Sequence, residues 1–147
     1  MVTDANDTLS VIMRFHQPRR LPLLDEALFS LALQDWPALE IVVAIQNGDD
    51  ALREQVLALL EAQPWPAPPC AQVLCLAMPE GFDGRSTLLN EGLARARGRY
   101  AAFLDDDDYV YQHGYAALIE QFGSAARPWP WAAAAWRECA WKAITGT

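Results

Sequence analysis

Short runs of aliphatic and β-branched residues alternate with longer segments of helical periodicity between residues 9 and 122, and that alternation leaves few architectures open. Leu9 to Phe15, Glu40 to Ile45, Gln72 to Ala77 and Arg99 to Leu104 are largely apolar, as expected of strands covered on both faces. Between them, Leu24, Leu28, Leu31 and Ala32 recur at helical spacing from Leu21 to Leu33, with Asp25 and Glu26 early in the segment. A second helix places Leu52, Val56, Leu59 and Leu60 inside, after the turn chemistry of Gln46-Asn-Gly-Asp-Asp. Pro64-Trp-Pro-Ala-Pro-Pro is a stiff connector. Ser86 to Arg97 reads as a third helix with Leu89 and Leu93 on one face, closed by Gly98 as a C-terminal cap. This order predicts an α/β fold: a doubly wound, mainly parallel sheet with helices on both faces. Gln112 to Phe122 continues as a helix with Tyr115, Leu118, Ile119 and Phe122 inward, and a Trp- and Ala-rich helix is expected over 130–143.

A chain of 147 residues is long enough for one core, so 1–147 reads as a single domain with its core in 9–122. The formal net charge of -8 argues against a general positive field that would grip nucleic acid or anionic lipid. An anionic ligand would need local help from a divalent ion, from backbone N–H groups, or from Arg14, Arg19, Arg20 and Arg85. Cys70, Cys75 and Cys139 have neither disulfide-framework nor zinc spacing, and no apolar run reaches the ~18 residues of a membrane span. With no apolar leader in MVTDANDT, a cytoplasmic location is expected.

Ligands of open parallel sheets bind beyond the carboxyl ends of the strands. That rule selects three loops: Arg14 to Arg20, Gln46 to Asp50, and Asp105 to Asp108. Four consecutive aspartates repel one another, and a hard divalent ion, Mg2+ or Mn2+, relieves the repulsion while keeping positions open for substrate phosphates. If strand geometry continued, Asp105 and Asp107 would face one side and Asp106 and Asp108 the other. The competing reading is a solvated acidic turn that caps the following helix. Gln46 and Asn47 suit either a loop that contacts a base or ribose, or a plain turn with an N-cap. Arg85, at a helix start, is either a pyrophosphate contact or a solvent-facing side chain. His16 and His113 stand at no recognised metal or triad spacing.

The stretch LLDEALFSLALQDWP from Leu23, followed by Leu39-Glu-Ile-Val-Val, resembles the opening of family 2 glycosyltransferases, with its "Q-x-aromatic-P" helix end. GRSTLLNEGLARARGRYAAFLDDDD from Gly84 is similar to that family's second and more specific block, an Asn-x-Gly helix leading to the strand that carries the DxD motif. The resemblance implies a GT-A, Rossmann-like fold that binds a nucleoside-diphosphate sugar of UDP or GDP type for transfer to an unknown acceptor. It also implies a divalent ion between the motif and the diphosphate. On this chain it points to Phe15, Gln46, Asn47, Arg85, Asn90, Asp105 and Asp106 as donor contacts, and to Asp105 and Asp107 as metal ligands. Arg14-Phe-His-Gln stands where the family has a Pro-Thr-Tyr-Asn-like sequence, and Ile45-Gln-Asn-Gly where it has Asp-Asp-Gly-Ser. The family also continues into an acceptor-binding half with a carboxylate base. The alternative is a catalytically inactive nucleotide-binding or assembly module, joined to a second copy or a partner subunit through its Trp-rich tail.

Overall fold

In the computed structural model, residues 7–124 are described, so the expected helix over 130–143 lies outside the described residues. Strands β1 (Leu9–Phe15), β2 (Leu39–Gln46), β3 (Cys70–Leu76) and β4 (Tyr100–Phe103) form one parallel sheet in the order β3-β2-β1-β4. The two central strands carry the most continuous apolar runs, because every residue there meets either a neighbouring strand or a covering helix. β3, at one edge, leaves Cys70, Ala71 and Cys75 exposed. The α/β architecture is the one expected.

Helices α1 (Leu21–Ala32), α2 (Asp50–Ala62) and α4 (Gly114–Ser124) cover one face, and α3 (Arg85–Arg95) covers the other. The pleat explains the division. Val11, Met13 and Phe15 of β1 and Ile41, Val43 and Ile45 of β2 meet Leu24, Leu28, Val56, Tyr115 and Ile119 in the larger core. Ile12 and Val42 point the opposite way, towards Leu89, Leu93 and Ala96. α2 starts where Asp49 accepts the Leu52 N–H at 2.8 Å, and α1 where Pro22 removes a donor that would have no helical partner. After β3 the chain crosses beneath the sheet through α3 and returns on the far side of β1. The winding therefore reverses between β1 and β4, and the carboxyl ends of these strands are where open parallel sheets of this kind take ligands.

Three expectations need correction. Gly98 does not cap α3 in a left-handed conformation; that helix ends at Arg95, and positive φ occurs among the described residues at Asn47 (52°) and Gly81 (74°). Gly98 is needed for close approach instead, since a Cβ there would lie 2.5 Å from the Thr8 carbonyl oxygen. In α4, Tyr115 and Ile119 are buried as expected, but Leu118 and Phe122 are exposed, because one helix turns only part of its surface towards the sheet. β4 stops at Phe103, so the aspartates follow the strand without belonging to it.

At the amino ends of the strands, one buried carboxylate ties four segments together. Glu40 accepts hydrogen bonds from the Ser10 hydroxyl (2.5 Å), the Arg97 backbone N–H (2.8 Å) and the Gln72 amide (3.0 Å). The Ser10 hydroxyl in turn accepts from the Gly98 N–H at 2.8 Å. Replacing Glu40 by Ala strands several buried donors and should lower unfolding free energy by about 3 kcal/mol, with Glu40→Gln costing less; urea denaturation giving equal midpoints for wild type and Glu40→Ala would contradict this. On the other face, α3 lies so close to β1 that a Cβ on Gly92 would meet Ile12 Cγ2 at 2.5 Å. Gly92→Ala should therefore cost about 1–3 kcal/mol in the same assay, despite alanine's better helix propensity.

Candidate functional site at the aspartate turn

The register that pairs Ile12 with Phe103 sets the geometry beyond the strands. Leu104 donates its N–H to the Ile12 carbonyl (3.1 Å), and the chain then closes a turn in which the Asp108 N–H reaches the Asp105 carbonyl at 3.2 Å. Strand alternation ends there, which corrects the expected pairing of the aspartates. Asp105, Asp107 and Asp108 each bring a carboxylate oxygen within 4.8 Å of the others, whereas Asp106 turns inward and is 6% exposed.

Two arginines, one near the end of β1 and one from the connection to α1, supply the first neutralising charge. Arg14, one residue before the end of β1, forks onto Asp105 through Nε (2.9 Å) and Nη2 (3.1 Å). Arg20, from the 3-10 turn Pro18–Arg20, forks onto Asp106 with both contacts at 2.8 Å and reaches Asp107 with Nη2 at 3.0 Å. Its hydrogen bond to Asp106, and then the charge of that group, raise the Arg20 pKa still further above its ordinary value. Bidentate guanidinium–carboxylate pairs fix orientation as well as charge. The self-repulsion inferred from the sequence is thus relieved in part by the protein, and the carboxylates are held in a fixed arrangement.

The neighbouring loops are held by polar contacts of their own. Asn47, in the left-handed region, accepts the Met78 N–H on its side-chain oxygen at 2.7 Å, and Gln46 donates to the Phe82 carbonyl at 2.9 Å. Arg85 grips Asp83 with contacts of 2.8 and 2.6 Å, which lowers the Asp83 pKa to about 2. Gln46, Asn47 and Arg85 thus gather around the loop that follows β3. Asn90 lies exposed on α3, and the Phe15 ring is fully buried in the larger core, so only its backbone is left for a ligand to meet. His16 is exposed, and His113 pairs with Asp35 away from the turn.

Sequence reasoning missed the side chains that hold the far end of the aspartate loop. Gln34 donates to the carbonyls of Val110 (3.2 Å) and Tyr111 (2.9 Å), and the Ser30 hydroxyl accepts the Val110 N–H at 3.2 Å. Both come from the end of α1 and the turn after it. The "Q-x-aromatic-P" sequence was the available signal, since a buried glutamine next to a helix end needs carbonyl partners.

Among curated proteins, none matches this sequence. The fold is shared with the crystal structure of S. aureus TarS 1-349, at 26% identity and a TM-score of 0.58, the match covering 78% of this chain and 32% of that one. The same protein in complex with UDP matches at 26% identity and a TM-score of 0.59, over 78% and 32% of the two chains. Mannosyltransferase PcManGT from Pyrobaculum calidifontis, in complex with GDP-Man and Mn2+, is alike in fold at 22% identity and a TM-score of 0.57, over 80% and 32%. The chain therefore spans about a third of the length of these structures. The family model "Glycosyl transferase family 2" matches residues 10–127, from the first strand through the aspartate turn and the helix beyond it, and the chain belongs to that family.

Proposed function

We propose that this domain binds a nucleoside-diphosphate sugar through a divalent ion held at the aspartate turn, for glycosyl transfer to an acceptor. The observation that carries the reading is the convergence of oxygens from Asp105, Asp107 and Asp108 at the point where the sheet reverses its winding. The similarity to TarS, whose complex with UDP has the same fold, supports it. Three carboxylates in a partly open turn are a hard, oxygen-only donor set, which fits Mg2+ or Mn2+ and leaves room for phosphate oxygens. Asp107 and Asp108 would hold the ion, joined by Asp105 on the donor side. The ion, when bound, supplies Lewis-acid stabilisation of the departing diphosphate.

The chain's own residues do the positioning. Arg20 keeps Asp106 turned away and steadies one oxygen of Asp107, so that the ligating set is defined before a ligand arrives. Gln34 and Ser30 fix the carbonyls and N–H that follow the turn. Gln46 and Asn47 order the neighbouring loop, where a base or ribose would lie.

A ligand that binds only the native state raises its stability, by about 2.7 kcal/mol at a hundredfold excess over Kd. UDP or GDP should raise the melting temperature more with Mn2+ than without. Asp107→Ala should abolish the metal-dependent part, and Asp25→Ala, on α1, should leave it intact. Absence of any metal-dependent shift in wild type would sink the donor-binding reading and favour an inactive module that keeps the fold.

A further inference from the structure

We infer that Arg14 is a phosphate-contacting cation of the donor site, so that the chain holds a nucleoside diphosphate in part without a metal ion; this rests on the donor-binding reading above. A diphosphate approaching the turn meets four aspartates and, within the same constellation, two guanidinium groups. Which of them can turn to a ligand is decided by what each would leave behind.

Arg20 is committed to Asp106, whose side chain is 8% exposed. Withdrawing that guanidinium would strand a buried carboxylate, one of the most costly local changes a protein can undergo. Arg85 could leave Asp83 to water at little cost, since their side chains are 68% and 61% exposed, but its only ion pair among the described residues is with that acid two residues away, outside the turn. Arg14 alone of the three is paired, among the described residues, solely to an acid of the turn that solvent reaches. Its partner Asp105 has a side chain 43% exposed, so water or a metal ion can satisfy it if the guanidinium shifts. The fork onto Asp105 uses Nε–H and one proton of Nη2, leaving Nη1 and the second Nη2 proton without a partner among the described residues. Its side chain is 26% exposed, enough to meet a ligand and little enough to strengthen the contact. Arg14 thus lies at the carboxyl end of β1, beside the strand order's reversal between β1 and β4.

The experiment titrates UDP and GDP, with uridine and guanosine as phosphate-free controls, into wild type, Arg14→Gln, Arg14→Lys and Arg95→Gln. Each is measured by calorimetry in EDTA and in Mn2+, with melting curves to establish folding. Wild type should bind the diphosphates weakly in EDTA and more tightly in Mn2+. Arg14→Gln should weaken binding about tenfold or more in EDTA, as expected for loss of a charge-assisted hydrogen bond. Arg95→Gln, at the far end of α3, should match wild type, and the nucleosides should not distinguish the variants. Diphosphate binding by Arg14→Gln as tight as wild type or tighter would overturn the inference, because the arginine would then be neutral or a competitor for Asp105. Binding by wild type only in Mn2+ would overturn it too, while leaving the donor-binding reading standing. No nucleotide binding under either condition would instead remove that reading, and the inference with it. Should Arg14→Gln melt far below wild type, Arg14→Lys decides: a folded lysine variant that keeps part of the EDTA binding supports a phosphate contact, and one that loses all of it overturns the inference.

Discussion

Everything at the carboxyl edge of the sheet depends on the register of β1 against β4. Pairing Ile12 with Phe103 brings Arg14 level with Asp105, two residues 91 positions apart in sequence, close enough for a two-point fork. A slip of one residue would turn every β4 side chain to the other face, and the fork would be lost. The register is held from several directions at once: by the close packing of Gly92 on Ile12, by the approach of Gly98 to Thr8 and Ser10, and by the Leu104 N–H bonded to Ile12.

The two ends of the sheet divide the work. At the amino ends, Glu40 is enclosed and its hydrogen bonds come from Ser10, Gln72 and the Arg97 backbone, a closed set that no ligand can enter. At the carboxyl ends, the carboxylates of the turn remain partly accessible and are balanced by arginines. The same chemical group thus serves stability where it is surrounded by donors and stays open to solvent where it is not. Burial, more than residue type, makes the difference.

Much of the fold was legible because the central strands are apolar on both faces and the helices are not. Leu9 to Phe15 and Glu40 to Ile45 could hardly be anything but buried strands, and Leu24, Leu28 and Leu31 marked the inner face of α1 correctly. The position of the aspartates followed from strand order alone. Their roles did not. Whether Asp106 or Asp108 joins Asp105 and Asp107 depends on where β4 ends and on the turn that follows, and no periodicity carries that information. Arg14 and Arg20 could be named as local positive charge, but their partners lie 91 and 86 residues away and emerge only when the sheet is assembled. Gly98 was misread for a related reason: a glycine after a helix suggests a cap, and the backbone it has to clear belongs to a strand much earlier in the chain.

The arginine forks also set a timescale. They bring charge to the turn on long side chains, while the backbone around them is pinned by β1, by α1 and by the contacts of Gln34. Partner exchange at Arg14 therefore requires breaking the fork and rotating about side-chain bonds, faster than the nanoseconds to microseconds of a loop rearrangement only insofar as the fork opens quickly. Encounter with an anionic ligand would then be governed by diffusion and by the local field of the two arginines, with the turn already in place when the ligand arrives.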